Sequence, residues 1–197
     1  MRNHSKKLVD LCDRAFCEIG FKKRSRGILY TPLRENVLGL LHLDALEYGG
    51  QFVEIAVFLG VAYERMERNY ARGHGRRYAK GIDSTTRWHL MTEAPLHFEE
   101  TQSPKDAAAR VFSVVDRVYE REFEAFGNID YLRRQFFENA EFARDEPQKV
   151  LAFRYTFDGA ASAEKFYASA LERVSHSQFE LDSLREFWTN LKSLPSE

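Results

Sequence analysis

Hydrophobic residues at helical spacing open the chain. Between residues 8 and 19 the apolar positions recur every three or four residues: Leu8, Leu11, Cys12, Ala15, Phe16 and Ile19. This spacing predicts an amphipathic first helix. Gly20 follows the last apolar position and predicts the end of that helix.

Three short apolar-rich segments come next, and they have the length of β-strands. They cover residues 21–30, 36–43 and 51–61, and the segments between them contain turn residues. Short connections of this kind favour an antiparallel meander. In the third segment alternate positions are aliphatic, at Val53, Ile55, Val57 and Leu59. Alternate side chains face one side of a sheet, so we expect the first helix to cover that side.

The middle of the chain is less regular. Residues 62–87 are rich in arginine and contain several glycines, which predicts a mobile exposed loop or a frayed helix. Residues 85–92 predict a fourth strand. A helix is predicted from Ser103, because Ser103 can cap it, Pro104 suits its first turn and Asp106 faces the positive end of its dipole. Its apolar stripe continues to Phe126, where Gly127 ends it.

The last third of the chain is helical in pattern. Helices are predicted over residues 130–143, from Pro147, over 162–174 and over 179–194, without the fixed period of a repeat protein. Residues 150–157 are aromatic-rich and locally alternating, so their pattern fits a strand as well as a helix.

These elements predict an α+β fold. An N-terminal helix lies on a small, mainly antiparallel sheet, and a helical C-terminal part follows. The expected domains are an α+β domain over residues 1–127 and a helical extension over residues 128–197 that packs on it.

Composition supports a folded globular protein. The 197 residues are 44% hydrophobic, 14% aromatic and 30% charged, which differs from the aromatic-poor composition of disordered chains. No apolar run approaches the ~18 residues that span a bilayer, so we expect neither a transmembrane helix nor a signal peptide, and no membrane partner. Two cysteines, Cys12 and Cys17, on one predicted helix indicate free thiols and a cytoplasmic location.

Charge is balanced overall but unevenly distributed. The net charge is -1, yet residues 1–90 carry 16 basic and 10 acidic side chains, and residues 91–197 carry 13 and 20. Such asymmetry can mark a surface that binds polyanions, or it can let the two halves attract each other.

Two basic segments are the best candidates for a binding surface. The first contains Lys22, Lys23, Arg24 and Arg26. The second, which we call the arginine segment, spans residues 65–80 and interleaves arginines with tyrosines. Arginine and aromatic side chains are favoured at protein interfaces, and they also hold phosphates and stacked bases. The predicted binding residues are Lys22, Lys23, Arg24, Arg26, Arg68, Arg72, Arg76, Arg77, Tyr78 and Trp88.

Signatures of catalysis are missing from the sequence. The six histidines are scattered without the paired spacing of a metal-binding helix, and no phosphate-binding loop, dinucleotide fingerprint or nucleophile elbow is present. We therefore expect no metal, no cofactor and no catalytic residues.

The start of the chain resembles the bacterial domain-of-unknown-function family 4304. The resemblance lies in a helix followed by Gly20-Phe21-Lys22-Lys23-Arg24-Ser25-Arg26, and then in the order and spacing of the next three strand segments. More loosely, it extends through Arg76-Arg77-Tyr78, Trp88 and the helix after Pro104, or about two-thirds of the chain. The resemblance implies an α+β domain, no established chemistry and a possible immunity or defence role.

Together these features favour a non-catalytic binding module that acts through protein–protein contacts. Its expected partner is a protein, and an acidic protein would suit the basic segments. The alternative is a nucleic-acid-associated protein that uses the arginine segment, and an uncharacterised hydrolase is the third hypothesis.

Overall fold

A computed structural model describes residues 4–48, 52–89, 96–99 and 101–193. The chain divides into two compact units. The sheet unit comprises Met1–Ala62 and Ser84–Gly127, and the helical unit comprises Tyr63–Asp83 and Asn128–Glu197. One boundary falls at 127/128, where the sequence predicts a domain boundary. Residues 63–83, which the sequence assigns to the first domain, belong to the helical unit.

The described part of the sheet unit contains three helices and six strands. Its helices are α1 (His4–Glu18), α3 (Pro104–Asp116) and α4 (Tyr119–Phe126). Its strands are β1 (Lys22–Ser25), β2 (Ile28–Arg34), β3 (Val37–Tyr48), β4 (Phe52–Tyr63), β5 (Thr86–His89) and β6 (Leu96–Glu99). The sheet order is β1-β2-β3-β4-β5, and β6 also pairs with β4. This architecture confirms the predicted α+β class.

A buried apolar core lies between α1 and the sheet. The aliphatic positions of β4 predicted to share one face, Val53 to Leu59, are at most 3% exposed. Phe16 of α1 is fully buried and lies 5.2 Å, between ring centroids, from Phe112 of α3. Cys12 is buried and Cys17 exposed, both as free thiols. Burial raises the pKa of the Cys12 thiol to about 12, which suits a core residue rather than a nucleophile.

The prediction of one strand over residues 21–30 is wrong in detail, because this segment contributes to two strands, β1 and β2. β1 and β2 pair in antiparallel register around a two-residue turn, with Ser25 opposite Ile28. Gly27 has a φ of +70°, and a Cβ atom at this position would collide with the Leu43 carbonyl oxygen. Glycine adopts a positive φ without strain and has no Cβ atom, so it fits this turn.

The prediction of one continuous helix from Ser103 to Phe126 is also wrong in detail. It breaks into α3 and α4 at Val118, where φ is -127°. The Val118 amide donates to the Val115 carbonyl oxygen at 2.9 Å, a three-residue step that tightens and ends α3. Ser103 occupies the predicted N-cap position, but its side chain makes no capping hydrogen bond.

The helical unit contains six α-helices in its described part. They are α2 (Glu64–Gly73), α5 (Ile129–Leu132), α6 (Ala140–Asp145), α7 (Pro147–Phe157), α8 (Ala160–Arg173) and α9 (Gln178–Lys192). A π-helical turn, Arg133–Phe137, follows α5 and interrupts the continuous helix predicted over 130–143. The open question about residues 150–157 is resolved in favour of a helix. None of the described helices is long and apolar enough to cross a membrane.

The expectation of an exposed loop or frayed helix is wrong for residues 64–73, which form α2. This helix packs against α7 and α9. One face is buried and includes Met66, Glu67 and Asn69, while Arg65 and Arg68 are exposed on the other. At its end, a Cβ atom on Gly73 would overlap the Phe187 ring of α9. The predicted fourth strand is confirmed as β5 for residues 86–89, and residues 90–92 lie outside the described part.

Candidate anion-binding cavity

The first group of predicted binding residues lies in the sheet unit, on β1 and its turn. All four side chains are exposed, but two of them already have partners. Lys23 lies 2.7 Å from a carboxylate oxygen of Asp13 and 3.6 Å from one of Asp10. Arg26 donates to Asp10 at 3.1 Å. Lys23 and Arg26 therefore attach the β1–β2 hairpin to α1.

Asp13 is the anchor of this attachment. It is 1% exposed and accepts from the Gly27 amide at 3.2 Å as well as from Lys23. The hydrogen bond with Asp13 raises the pKa of Lys23, and the hydrogen bond from Arg26 lowers the pKa of Asp10. Lys22 and Arg24 are the members of this group with no ion pair in the described part of the chain.

Trp88 also belongs to the sheet unit. It lies on β5, and its backbone is opposite Leu59 of β4 in antiparallel register.

The remaining predicted residues lie in the helical unit, and the structure divides them by their partners. Arg76 forms an ion pair with Asp83 at 2.9 Å, and Arg77 is exposed. The Tyr78 hydroxyl donates to Glu64 at 3.4 Å, and the Arg68 guanidinium lies over the Tyr78 ring, 5.9 Å from its centroid. Burial and the nearby Glu64 carboxylate raise the pKa of Tyr78.

Arg68 and Arg72 line a cavity of about 280 Å³ together with Arg65. The three arginines recur at i, i+3 and i+7 on α2, the spacing that places side chains on one helical face. The lining also includes Asn69 of α2, Tyr155 of α7, and Gly159 and Ala160 at the start of α8. We call this feature the arginine cavity.

A buried hydrogen bond fixes α2 beside α7. The Asn69 amide nitrogen donates to the Thr156 hydroxyl at 3.0 Å, and that hydroxyl donates to the Ala152 carbonyl oxygen at 2.6 Å. Asn69 is 9% exposed and Thr156 8%. Because Asn69 lies between the arginines on α2 and Thr156 is next to Tyr155, this bond sets the two walls of the arginine cavity.

The turn that precedes α8, at Asp158 and Gly159, forms another side of the cavity, and an ion pair holds it in place. Arg133 forms an ion pair with Asp158 at 2.6 Å, and its guanidinium lies 5.3 Å from the centroid of Phe153. Gly159 then adopts a φ of +87°, a conformation that side-chain-bearing residues rarely adopt. Gly159 is the N-cap residue of α8, and no side chain caps this end of the helix. The Gly159 carbonyl oxygen accepts the first helical hydrogen bond, from the Ala163 amide. The N–H groups of the first turn point toward the N-terminal end of α8, where Gly159 and Ala160 line the cavity.

The acidic residues around α2 and the turn are engaged elsewhere. Glu64 pairs with Lys80 at 3.4 Å, Asp83 with Arg76, and Asp158 with Arg133. By contrast, Arg65, Arg68 and Arg72 form no ion pair with any described residue. Three arginines and the positive end of a helix dipole thus line one small cavity, and no carboxylate among the described residues pairs with those arginines, which is an environment that favours an anion.

Two of the predicted binding residues line this cavity, although the sequence did not predict a cavity. It singled out Arg68 and Arg72, and it placed Arg65 in the arginine segment, where the helical spacing was a usable signal. It did not identify Asn69, Tyr155 or Gly159. Two of these lie more than eighty residues from α2 in the chain, so nothing in the local pattern connects them with the arginines.

A larger cleft of about 640 Å³ lies elsewhere in the helical unit, between α6, the end of α8 and the start of α9. Its charged lining is mixed and contains Arg144, Asp145, Arg173 and Glu180, with Arg144 paired to Asp145 at 2.9 Å. Within the described residues, no group of three or more histidine, cysteine or acidic side chains is arranged to hold a metal ion.

Comparisons with protein-family models, with curated proteins and with solved structures give no match to this chain. The resemblance to family 4304 stays a prediction from the sequence.

Proposed function

We propose that the protein is a non-catalytic binding module that acts through protein–protein contacts, and that the arginine cavity receives an acidic group of its partner. The observation that carries the proposal is the convergence of Arg65, Arg68 and Arg72 on one cavity, with no carboxylate partner in the described part of the chain. Arginine forks bind planar carboxylates and phosphates through paired hydrogen bonds, and arginine is enriched at interface hot spots.

The charge balance supports a protein partner over a nucleic acid. The helical unit carries 15 basic and 15 acidic residues over residues 63–83 and 128–197. Non-specific nucleic-acid binding needs an extended positive surface that displaces counterions along the backbone. A neutral unit with one arginine cavity suits a single anionic group better than a row of phosphates.

Nucleic-acid binding is the second candidate, and one contact favours it. Arg68 stacks over Tyr78, and Arg77 is exposed close by in sequence. Such arginine–aromatic pairs serve as stacking surfaces for bases in proteins that bind single strands.

The test compares an acidic peptide with random single-stranded RNA at physiological salt. The peptide should bind, and a triple change of Arg65→Gln, Arg68→Gln and Arg72→Gln should abolish its binding. The matched control removes three exposed arginines of the same unit, Arg134, Arg144 and Arg185, and should bind like the parent.

The alternative gives a different salt dependence. Micromolar RNA binding that the triple change abolishes, with a logarithmic salt slope of about 0.7 per phosphate contact, would replace the protein partner with nucleic acid. The immunity or defence role is tested separately by gene neighbourhood, because an adjacent toxin gene supports it and a nuclease or polymerase operon favours the second candidate.

A further inference from the structure

We infer that the anionic group received by the arginine cavity is a phosphoryl group, carried as a monoester on a side chain of the partner protein. This inference rests on the proposed function and makes it more specific. It makes the module a reader of phosphorylation, so that partner binding is switched by modification of the partner.

The number of donors in the cavity exceeds what a carboxylate can use. Each of the three arginines that line the cavity carries five N–H donors, and Gly159 and Ala160, at the N-terminal end of α8, line the same cavity. A carboxylate offers two oxygens and one negative charge. A phosphoryl monoester offers three acceptor oxygens and about -1.5 to -2 charges at neutral pH, so it satisfies more of these donors and more of their charge.

The size of the cavity fits a compact group. A volume of about 280 Å³ equals that of about nine water molecules at roughly 30 Å³ each. This holds a phosphoryl group and the side-chain stem that carries it. It lies just below the range of roughly 300–1,000 Å³ that is typical of sites for larger organic ligands.

The walls of the cavity are fixed before any ligand arrives. The Asn69–Thr156 hydrogen bond sets α2 against α7, and the Arg133–Asp158 ion pair holds the turn before α8. That ion pair also occupies the carboxylate that precedes Gly159, so Asp158 does not neutralise the arginines. A preformed site loses less entropy on binding than one that must be ordered by its ligand.

A protein segment suits the surroundings better than a nucleic acid as the carrier of the phosphoryl group. Of the other basic side chains in the arginine segment, Arg76 pairs with Asp83 and Lys80 with Glu64, which leaves Arg77 without an ion pair among the described residues. One further exposed arginine offers little to follow a phosphate backbone, so a phosphorylated side chain suits the cavity better than a strand.

The experiment measures binding of a short glycine-serine peptide with one central phosphoserine to the full-length protein. Matched peptides carry serine or glutamate at that position, and random single-stranded RNA and a mononucleotide are the other probes. We expect the phosphoserine peptide to bind at least about tenfold more tightly than the glutamate peptide, a difference of about 1.4 kcal/mol. Inorganic phosphate should compete with it.

Three variants localise the binding. Arg68→Gln and Arg72→Gln should each weaken phosphoserine binding by about tenfold or more, because each removes charge-assisted hydrogen bonds. Arg134→Gln, which removes an exposed arginine of the same unit, should bind like the parent. Circular dichroism and thermal unfolding confirm that all three variants fold.

The pH dependence provides a second readout. The second pKa of a phosphoserine is about 6 and that of glutamate about 4.3, so affinity for the phosphoserine peptide should fall between pH 7.5 and 5. Titration of the protein itself affects both peptides, so the ratio of their affinities isolates the phosphoryl group.

The outcomes separate the two proposals. Equal affinity for the phosphoserine and glutamate peptides overturns the phosphoryl inference and leaves the proposed function standing. Binding of the glutamate peptide alone does the same. Tighter binding of the RNA than of either peptide overturns both. Failure of the phosphoserine peptide and of inorganic phosphate to bind overturns the inference, as does binding that Arg68→Gln and Arg72→Gln leave unchanged.

Discussion

Replacing Thr156 with valine tests the buried hydrogen bond that joins α2 to α7. The two side chains have nearly the same shape, so the change removes the hydroxyl and leaves the volume almost unaltered. In the parent this hydroxyl accepts from Asn69 at 3.0 Å and donates to the Ala152 carbonyl oxygen at 2.6 Å. In the variant the Asn69 amide loses its acceptor in a place that is 9% exposed.

The expected loss of stability follows from two opposing effects. A buried donor without a partner costs about 1–3 kcal/mol. The valine methyl group replaces a polar atom in an apolar setting and recovers up to about 0.8 kcal/mol. Threonine and valine have similar helix propensities, so the backbone of α7 adds little to the difference. We therefore expect the free energy of unfolding to fall by about 1–2 kcal/mol.

The assay is urea unfolding followed by a double-mutant cycle. Thr156→Val should lower the unfolding midpoint with an unchanged m-value. The double variant Asn69→Leu with Thr156→Val removes both polar partners and should lie closer to the parent than the sum of the single changes predicts. A Thr156→Val variant within about 0.5 kcal/mol of the parent, or strict additivity in the cycle, would show that this hydrogen bond does not hold α2 in place.

Three further changes test other parts of the structure. Gly73→Ala should destabilise by about 1–3 kcal/mol in thermal unfolding because the added methyl group meets the Phe187 ring, whereas an exposed helical glycine would gain up to about 1 kcal/mol from the same change. Ile55→Asp should unfold the sheet unit, since it buries an unpaired charge at a position 2% exposed, and a variant with the melting temperature of the parent would refute that placement. Asp10→Asn should lower the free energy of unfolding above about pH 4, and this effect should disappear as the pH falls. The reason is that the hydrogen bond from Arg26 lowers the pKa of Asp10 and so favours its charged form in the folded state. A difference in urea midpoints that does not change with pH would contradict this.

Elements whose pattern depends on their own residues were predictable from the sequence. The alternation of Val53, Ile55 and Val57 in β4 is visible locally, and so is the spacing of α1, since each element buries one regular face. The break between α3 and α4 was not predictable in this way. It occurs at Val118, where neither glycine nor proline marks it, and only the tertiary setting of Val118 distinguishes it from a helical residue.

The second helix shows why polar segments mislead pattern analysis. Its buried face includes Glu67, Asn69 and Gly73, none of which counts as hydrophobic. Asn69 is satisfied by Thr156, and Gly73 is buried because α9 approaches it closely. These partners lie far along the chain, so the local pattern resembles an exposed loop. The same separation explains why Arg68 and Arg72 were predicted and Tyr155 was not.

The path of the chain through its two units has a consequence for synthesis on the ribosome. The chain leaves the sheet unit after Ala62, forms α2 for the helical unit and returns at Ser84. Translation at about 5–20 residues per second leaves α2 waiting on the order of ten seconds for α7 and α8 to appear. During that interval the buried face of α2 has no native partner, and the arginines face no cavity. The arginine cavity is thus complete only in chains that have been translated past α8, and a fragment ending at residue 127 would carry α2 without the helices that cover its buried face.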